Sequence, residues 1–477
     1  MFMNRKWIKL VFAFLLPALA NAQLPNKQID TSSTNISSVN LSEPLTLQQC
    51  IDYALKNSIQ VKNAVLTTEI DKAKVNEIKA DGLPQIDAGF TYNNNLKIQT
   101  SFLPDFISPS VYGVLIQEGL LNPTDAPSSY AVFPAQFGVK QTGRFDVNAR
   151  QLLFDGTFFL GLKAAKTYVQ LSEKQLSQTK IDIITNVTKA YYAVLINQER
   201  LNLSLANIVR TDSLLRQTRA MYEQGFVEKI DVDRLEVNFN NAKTLQQNLA
   251  KMLDLSQNIL KFQMNLDLKQ QIRLADNLQN SKVEALALLP SEADASKRIE
   301  FSILETQREL ATLDVKRWMS GYFPKVYLNG SFGYTAGAER IGDWRWFNYQ
   351  VIGFNIDIPI FDGLRKNAQI QQAKLKVKQV ENAQLLLKQQ IAMEQQQAEI
   401  ALANALNELE AQSKNMNLAM EVLNITKIKY QEGVGSMLEI VEADAAYRQA
   451  ENNYYNALYD AIISKIDLDK ASGNISF

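Results

Sequence analysis

Hydrophobic and polar residues alternate one by one in four short stretches of this chain. The stretches are residues 85–93, 144–150, 326–334 and 352–358. In the first of them, the apolar residues Ile86 and Ala88 flank Asp87. A period of two is typical of a strand with one apolar and one polar face. The pattern therefore predicts two β-hairpins, 85–154 and 325–361, with four strands in all.

Long helical patterns fill most of the remaining chain. Between about 158 and 222, apolar residues such as Val187, Tyr191 and Val194 recur at alternating spacings of four and three, which is typical of a coiled-coil seam. A helix of about 65 residues is roughly 100 Å long, far beyond an ordinary globular helix. A capping-box pattern at Thr46 and Gln49 also predicts a helix from about 45 to 82. The fold class is mainly α with four strands.

The chain contains the same unit twice. "FDG" occurs at 154–156 and at 361–363, and "MYEQGFVEKIDV" (221–232) corresponds to "KYQEGVGSMLEI" (429–440). Each repeat is a helix, a hairpin and a long helical hairpin. At the strand-to-helix junctions we expect an aspartate to cap the helix, a glycine to leave space for the bend and a phenylalanine to pack. The residues concerned are Phe154, Asp155, Gly156, Phe361, Asp362 and Gly363.

These patterns divide the chain into six segments. Basic residues, an apolar run and Ala20-Asn21-Ala22 are typical of a cleaved export signal. The predicted segments are a signal peptide at 1–22, a flexible leader at 23–44, the first repeat at 45–273, a connector at 274–296, the second repeat at 297–470 and a tail at 471–477. The helical hairpins of the two repeats are expected to turn near 222–231 and 430–439.

Composition excludes several classes of function. The chain has 50 Lys and Arg, 50 Asp and Glu, no His and one Cys. This balance gives no general attraction to nucleic acid, and His-dependent triads and His-ligated metal sites are ruled out. Cys50 lies on an apolar helical stripe and is expected to be packed. We expect no enzyme activity, no cofactor and no metal.

Membrane insertion, if it occurs, is expected to use the strands. After the signal peptide no stretch reaches the roughly 18 apolar residues of a membrane helix. Trp344, Trp346, Phe347 and Tyr349 lie near one strand end and favour a membrane-interface girdle over a plain aromatic loop. Because the smallest membrane barrels need about eight strands, several chains must contribute. The proline-rich loop at about 96–138 is expected to be irregular and exposed.

Taken together, the export signal, duplication, hairpins, "FDG" junctions and Tyr-x-x-Gly turns resemble the TolC-like outer-membrane efflux protein family. The resemblance covers nearly the whole mature chain. It implies a homotrimer whose twelve strands form one barrel in outer-membrane lipid, continuing into a helical tunnel across the periplasm. It also implies a periplasmic adaptor (membrane fusion) protein and an inner-membrane pump of the RND, ABC or MFS type as partners.

The resemblance also assigns roles to residues at the two helix turns. Tyr222, Gly225, Phe226, Gly433 and Val434 match the tips that meet the adaptor. Asp231, Tyr430, Glu439 and Glu442 match the residues that constrict the pore. The family's arginine in this constriction falls on Gly435, so its hydrogen-bonded lock must differ here, and Lys229 or Lys427 are candidate substitutes.

Alternatives remain open from the sequence. Glu439 lies three residues after Ser436 and fits a capping box as well as a lumen ring, and glycine at Gly225 and Gly433 also suits a plain helix C-cap. For the whole chain we expect a passive exit duct of a tripartite efflux or type I secretion system. The alternative is a periplasmic coiled-coil structural or adaptor protein that does not enter the membrane.

Overall fold

A computed structural model describes residues 43–129, 131–276, 295–340 and 342–475. The expected signal peptide, most of the leader and most of the connector lie outside the described residues. The described helices are α1 Leu47–Asn57, α2 Ile59–Ala80, α3 Ser108–Gln117, α4 Gly156–Glu223, α5 Lys229–Met264, α6 Ile299–Ser320, α7 Arg365–Gln431 and α8 Met437–Ala471. Short 3-10 turns occur at Pro123–Asp125 and Ala295–Lys297. The expectation of a mainly helical protein is confirmed.

The described residues contain six strands, which form two sheets. The strands are β1 Gln85–Asn94, β2 Thr100–Pro104, β3 Val132–Gln136, β4 Gln141–Phe154, β5 Lys325–Ala338 and β6 Arg345–Asp357. The larger sheet is antiparallel in the order β1-β4-β5-β6, and β2 pairs with β3 alone. The expected four-stranded contribution is confirmed, and it is one continuous sheet because β4 of the first hairpin pairs with β5 of the second.

The register of the larger sheet separates apolar from polar residues. Val147 pairs with Ala88 on one side and with Phe332 on the other. One residue along, Asn148 pairs with Asp87 and Ser331. Successive residues of a strand point to opposite faces. Strands β1, β4 and β5, and β6 from Ile352 onward, therefore contribute their alternating apolar residues to the same face.

The first helical segment is divided in two. Thr46 caps α1 through its side chain, which accepts from the backbone N–H of Gln49, and the Gln49 side chain bonds back, so the predicted capping box is confirmed. The expected single helix from 45 to 82 is wrong, because Ser58 has an extended conformation (ψ 129°) and separates α1 from α2.

The loop between β1 and β4 is structured, so the expectation of an irregular loop is wrong. It contains the β2–β3 ribbon and helix α3. Pro134 pairs opposite Phe102 and Pro104 opposite Val132, which a two-stranded ribbon tolerates because each strand has a free side. Pro109 lies in the first turn of α3, where the missing N–H leaves no hydrogen bond unmade. As expected, nearly all residues of this loop are exposed or only partly buried.

The two "FDG" junctions differ in geometry. Asp155 directly precedes α4 and accepts from the backbone N and hydroxyl of Thr157 at 2.7 and 2.6 Å. Asp362 accepts from the backbone N of Lys366, four residues later, at 3.2 Å. At the first junction the corresponding bond joins residues only two apart. Helix α7 begins further along the chain from its aspartate because Gly363 and Leu364 both have positive φ, 67° and 64°.

Glycine and phenylalanine also act differently at the two junctions. A Cβ on Gly156 would lie 3.1 Å from the Cβ of Ser320, so the first junction requires a small residue. At Gly363 no atom lies within 4 Å of such a Cβ, so space for the bend, the expected reason for glycine, does not require it there. The positive φ of Gly363 is the reason for glycine. The prediction that Phe361 packs at its junction is wrong, since the side chain is 80% exposed.

The chain forms two units, described separately. The first is drawn from Met1–Asn63, Ser177–Arg298 and Gln390–Phe477, and the second from Ala64–Leu176 and Ile299–Gln389. The second unit holds both sheets. The first holds both helix turns and a core of Leu215, Val232, Leu235, Met437 and Ile440, against which Tyr430 packs.

Candidate functional site

The polar face of the larger sheet carries a connected set of charged and amide side chains. Arg144 pairs with Asp146 at 2.9 Å, and Asn148 donates to Asp146 at 2.7 Å and to Asp87 at 3.2 Å. Ser331 in turn donates to Asn148 at 2.8 Å. The carboxylates on this face are therefore compensated by neighbours within the same wall.

The opposite face of the same sheet is apolar and exposed. Phe90, Ile352 and Phe354 are among its solvent-exposed side chains. A water-soluble sheet buries its apolar face against another layer. A sheet with one exposed apolar face and one hydrogen-bonded polar face has the arrangement of a membrane barrel wall, which contacts lipid outside and water inside.

Aromatic residues mark both ends of this sheet. At one end the rings of Trp344 and Trp346 stack 6.1 Å apart over Gly143, whose Cβ would lie 3.2 Å from Trp344. Phe347 and Tyr349 pair with Thr335 and Gly333 and lie on the polar face, so the expected girdle of four aromatics is wrong for these two. The reason is the strand period of two, which sends alternate residues to opposite faces.

The other end of the sheet carries a second aromatic group beside the first "FDG" junction. The rings of Phe154 and Phe159 are 6.3 Å apart, and those of Phe158 and Phe159 are 5.4 Å apart in an edge-to-face arrangement. Both Phe154 and Phe159 are solvent-exposed. Exposed aromatics at both ends of a two-faced sheet are typical of the two membrane–water interfaces.

In the first unit, the turn from α4 to α5 has a Schellman geometry. Gly225 has φ 79° and donates to the carbonyl of Tyr222, while Phe226 donates to the carbonyl of Met221, both at 2.9 Å. Phe226 follows the glycine and its side chain is 73% exposed. Glu228 is the N-cap of α5 but makes no side-chain capping bond.

The turn from α7 to α8 repeats this backbone. Gly433 has φ 76° and donates to the carbonyl of Tyr430 at 3.1 Å, and Val434 donates to that of Lys429 at 3.0 Å. Val434 is 74% exposed. Unlike the first turn, this one has a side-chain cap, because the hydroxyl of Ser436 accepts from the backbone N–H of Glu439 at 3.3 Å.

The four residues expected at the constriction lie near these turns. Glu439 and Glu442 are both exposed and are three residues apart on α8. One oxygen of Glu439 lies 3.4 Å from the Ser436 hydroxyl and the other 3.5 Å from the Lys429 ammonium. The nearest charged partner of Asp231 is Arg234, at 3.9 Å.

Tyr430 points into the core between the helices. Its hydroxyl is buried and has no hydrogen-bond partner among the described residues. Burial raises the pKa of Tyr430, the nearby hydroxyl of Thr218 opposes this shift, and the charge of Asp231 adds to it. The side chains of Tyr430 and Asp231 are thus close enough to interact electrostatically without a hydrogen bond.

The described residues also lack two other features. No helix in the described ranges is long and apolar enough to cross a membrane. Within the same ranges, no group of three or more His, Cys, Asp or Glu is placed to hold a metal ion.

A family model described as outer membrane efflux protein matches residues 50–265 and 296–474. The chain belongs to the outer membrane efflux protein family. It is therefore an outer-membrane protein with a periplasmic extension, and it acts as the outer-membrane exit duct in efflux or secretion. The resemblance inferred from the sequence is confirmed, and the alternative of a periplasmic protein that stays out of the membrane is not supported.

Individual relatives agree with this assignment. The chain is 22% identical over 362 residues to outer membrane protein TolC of Vibrio cholerae serotype O1, covering 69% of this chain and 76% of the relative. The solved structure of CusC has a TM-score of 0.67 at 15% identity, covering 89% of this chain and 91% of CusC. That of the Campylobacter jejuni CmeC outer membrane channel has a TM-score of 0.65 at 17% identity, covering 90% and 85%.

The resemblance matches the family's constriction arginine to Gly435, where the structure leaves little space for a side chain. A Cβ on Gly435 would lie 2.9 Å from the backbone N of Tyr430 and 3.2 Å from the Cβ of Lys429. Any side chain at Gly435 would displace the last turn of α7. Lys429 is the cation beside Glu439. Neither Lys229 nor Lys427, the candidate substitutes for that arginine, forms an ion pair with Asp231 among the described residues, and Arg234 lies 3.9 Å from it.

A buried ion network one helical turn further from the tip was missed by sequence reasoning. Asp444 of α8 pairs with Arg210 of α4 at 3.0 Å and with Arg448 of its own helix at 3.1 Å. Arg448 donates to Asn238 of α5 at 2.7 Å. The sequence did contain one indication of this network. Asp444 lies four residues after the buried position Ile440, on the same side of the helix, and Arg448 follows four residues later.

The same network affects neighbouring titratable groups. Lys427 of α7 has a lowered pKa because it is buried and close to the positive charge of Arg210. Burial raises the pKa of Glu451, although Tyr447 donates to it at 2.9 Å. The cluster therefore combines charges from α4, α7 and α8 with the amide of Asn238 from α5.

Proposed function

We propose that this outer membrane efflux protein works as a homotrimer in which three copies of the four-stranded sheet close into one twelve-stranded barrel. The observation that supports this proposal most directly is the larger sheet, which has one apolar and one polar face. Its outer strands β1 and β6 are each paired on one side only among the described strands. In lipid every backbone group must be hydrogen-bonded, so open edges are not tolerated. Pairing β1 of one copy with β6 of the next satisfies both edges.

Barrel geometry requires more than one copy, and three is the number that the family resemblance implies. Four strands are too few to enclose a channel, since the smallest membrane barrels have about eight. The strands of this sheet have 10 to 14 residues. A spanning strand needs about 9–11 residues, so each strand is long enough to cross the membrane. Three copies give an even-numbered antiparallel barrel with a polar interior.

We further propose that the duct is passive and receives its cargo from a periplasmic adaptor and an inner-membrane pump. The tips would bind the adaptor through Phe226 and Val434, whose exposed apolar side chains each follow a turn glycine. Exposed apolar side chains at the tip of a rigid hairpin are typical of a docking contact. No bond is made or broken by the duct, and the energy for transport comes from the pump.

The pore constriction is assigned to Glu439 and Glu442, with Asp231 and Tyr430 beside them. Three copies would bring six carboxylates together, which favours cations and attracts divalent blockers. The contact of Glu439 with Ser436 and Lys429 supports a second role in holding the start of α8. Glu442 has no ion pair among the described residues and is the stronger candidate for the lumen.

The decisive experiment is single-channel conductance of the purified mature protein in a planar bilayer, preceded by a mass measurement in detergent. We expect a trimer with a small, cation-preferring conductance. The double substitution Glu439→Gln and Glu442→Gln should remove the cation preference, and Glu432→Gln, on the exposed part of the same turn, is the matched control. A well-folded protein that is not trimeric or forms no channels would refute the duct.

A further inference from the structure

Helix α3 in the loop between β1 and β4 has no buried face. The structure gives it no buried residue, and Val114 is 59% exposed. From Phe106 to Gln117 the sequence contains no charged residue. Val111, Val114, Leu115 and Ile116 of this uncharged helix have no packing partner layer among the described residues, and apolar helix surface is normally covered by other protein or by lipid. Something must therefore cover α3 in the working assembly.

The position of α3 is fixed by the hairpin that carries it. The β1–β4 ladder ends at Asn94 and Gln141, and the backbone N of Asn95 then donates to the carbonyl of Lys140 at 2.7 Å. The β2–β3 ribbon continues from there and leads to α3. This is the end of β4 opposite to the one that leads into α4. Because the helical part of an outer membrane efflux protein is periplasmic, α3 lies on the exterior side.

The surface that covers α3 must fit an apolar groove along this helix. Phe106, Ile107, Ser110, Val111, Val114 and Leu115 line an open groove of about 480 Å³ on α3. None of the six lining residues is charged, and all but Ser110 are apolar, so the groove suits an apolar helix such as a second copy of α3.

Charge disfavours the lipid surface as the occupant. Helices that lie on a membrane surface carry Lys and Arg on their polar face, which bind anionic headgroups. From Ile98 to Val139 the chain has no Lys or Arg, and its charged residues are Asp105, Glu118 and Asp125. None of these three lies within α3. The insertion thus lacks the charges for lipid docking, while α3 has no charge that would repel a second α3.

We propose that the three α3 helices of the trimer pack against one another over the outer mouth and form an apolar gate. The proposal rests on the trimeric duct proposed above. It adds a second closure, at the exterior end, which outgoing cargo pushes apart and which blocks entry from outside. β1 is an edge strand, so each insertion rises at a boundary between copies and lies within reach of its neighbour.

Cysteine cross-linking tests the contact directly. Val111→Cys, Val114→Cys and Leu115→Cys are introduced one at a time into the full mature chain, and the trimer is oxidised. The native Cys50 does not interfere, because it is buried and burial raises the pKa of its thiol to about 12. At one or more positions we expect a disulfide-linked dimer after denaturation, since a disulfide requires Cα atoms within about 7 Å. Thr124→Cys, exposed in the same insertion, should stay monomeric.

Conductance tests whether the contact is a gate. Oxidation of the cross-linking variant should lower single-channel conductance, and a reductant should restore it. The double substitution Val111→Asp and Val114→Asp places like charges in the packed helices and should raise conductance and antibiotic entry severalfold. Both residues are exposed in the single chain, so their replacement leaves its fold intact. The control Thr124→Asp should behave like wild type.

The outcomes separate the gate from the duct. A trimer that conducts but cross-links at none of the three positions overturns the gate and keeps the duct. A protein that is not trimeric refutes both. In a third assay, a bimane label on Val114→Cys is placed in vesicles of brominated phospholipid; strong quenching would assign α3 to the lipid surface and overturn the gate, whereas weak quenching supports it.

Discussion

The two helix turns share a backbone and differ in what holds the following helix. Both use a Schellman motif with a glycine at positive φ, at Gly225 and at Gly433. The helix after the second turn is capped by Ser436, whereas Glu228 of the first turn makes no capping bond. The turn geometry is thus common to both repeats, and the additional polar contacts belong to the second.

The same contrast between the two repeats is larger about two helical turns beyond each cap. Glu236 and Asp444 occupy corresponding positions of the repeat. Glu236 pairs with Arg219 at 3.2 Å, and both side chains are 52% exposed. Asp444 pairs with two arginines, and its side chain is 6% exposed. The comparison teaches that one repeat position can hold a screened surface pair in one copy and a buried network across three helices in the other.

Removing the buried carboxylate should have the largest effect. Asp444→Asn leaves Arg210 and Arg448 without their counter-ion, and breaking a buried pair in this way costs about 3–5 kcal/mol. Glu236→Gln at the corresponding position breaks a solvent-screened pair and should cost less than about 1 kcal/mol. Chemical unfolding of the two variants in detergent measures the difference. Equal losses would show that burial of Asp444 is energetically unimportant.

A side chain at Gly435 should have the next largest effect. Gly435→Ala places a Cβ 2.9 Å from the backbone N of Tyr430, so the last turn of α7 must shift, at about 1–3 kcal/mol. Val227 occupies the corresponding position of the first turn, and Val227→Ala should change the free energy of unfolding by less than about 1 kcal/mol. Unfolding curves for both variants check this. If Gly435→Ala is neutral, crowding does not explain the missing arginine.

Loss of the helix cap should be smaller. Ser436→Ala removes the bond to the backbone N–H of Glu439, and loss of an N-cap costs about 0.5–2 kcal/mol. Glu228→Ala serves as the control because Glu228 makes no capping bond. Amide hydrogen exchange in the first turns of α5 and α8 reports the effect locally. Faster exchange confined to α8 is expected, and equal acceleration in α5 would contradict the difference between the two turns.

The smallest expected effect is a pH dependence from Glu451 of α8. Burial raises its pKa, so the folded protein binds this proton more tightly than the unfolded chain. Its contribution to stability is present at acid pH and is lost as pH rises through the raised pKa. Arg210, Arg448, Tyr447 and Asp444 surround the group.

Replacing this carboxyl should therefore stabilise the protein only at higher pH. Glu451→Gln should raise the melting temperature at pH 8 and leave it unchanged at pH 4, because glutamine resembles the protonated acid. Lys243→Gln, exposed at the corresponding position of the first repeat, should show no such dependence. Thermal melts of both variants across this range test the sign. A stabilisation that is equal at pH 4 and pH 8 would disprove the role of the proton.

The sequence predicted the parts of the fold that depend on local pattern. Apolar and polar residues alternate in strands such as the one containing Phe145 and Val147, and this alternation alone predicts a sheet with one apolar and one polar face. The observed register confirms this prediction for that strand. The insertion was mispredicted because Pro104 and Pro134 were interpreted as strand breakers. In a two-stranded ribbon, each of these prolines can lie where its strand needs no N–H donor. Which positions these are depends on the pairing of β2 with β3, and the sequence alone does not show that pairing.

The candidate site was less predictable because its contacts join distant segments. The turn glycines are local features, and their Tyr-x-x-Gly pattern located both tips. The pairing of Asp444 with Arg210 depends on the packing of α8 against α4, and no spacing in the sequence encodes it. The crowding at Gly435 likewise depends on how closely the chain passes the end of α7.

The two open edges of the sheet have a consequence for inheritance. A strand edge distinguishes poorly between one copy of a protein and another, because its hydrogen bonds come from the backbone. In the proposed trimer, a bacterium that carries a normal and a defective allele would therefore build mixed rings, most of which contain at least one defective member. Mutations that spoil the channel but leave β1 and β6 intact should be dominant, whereas mutations that disable both edges should be recessive.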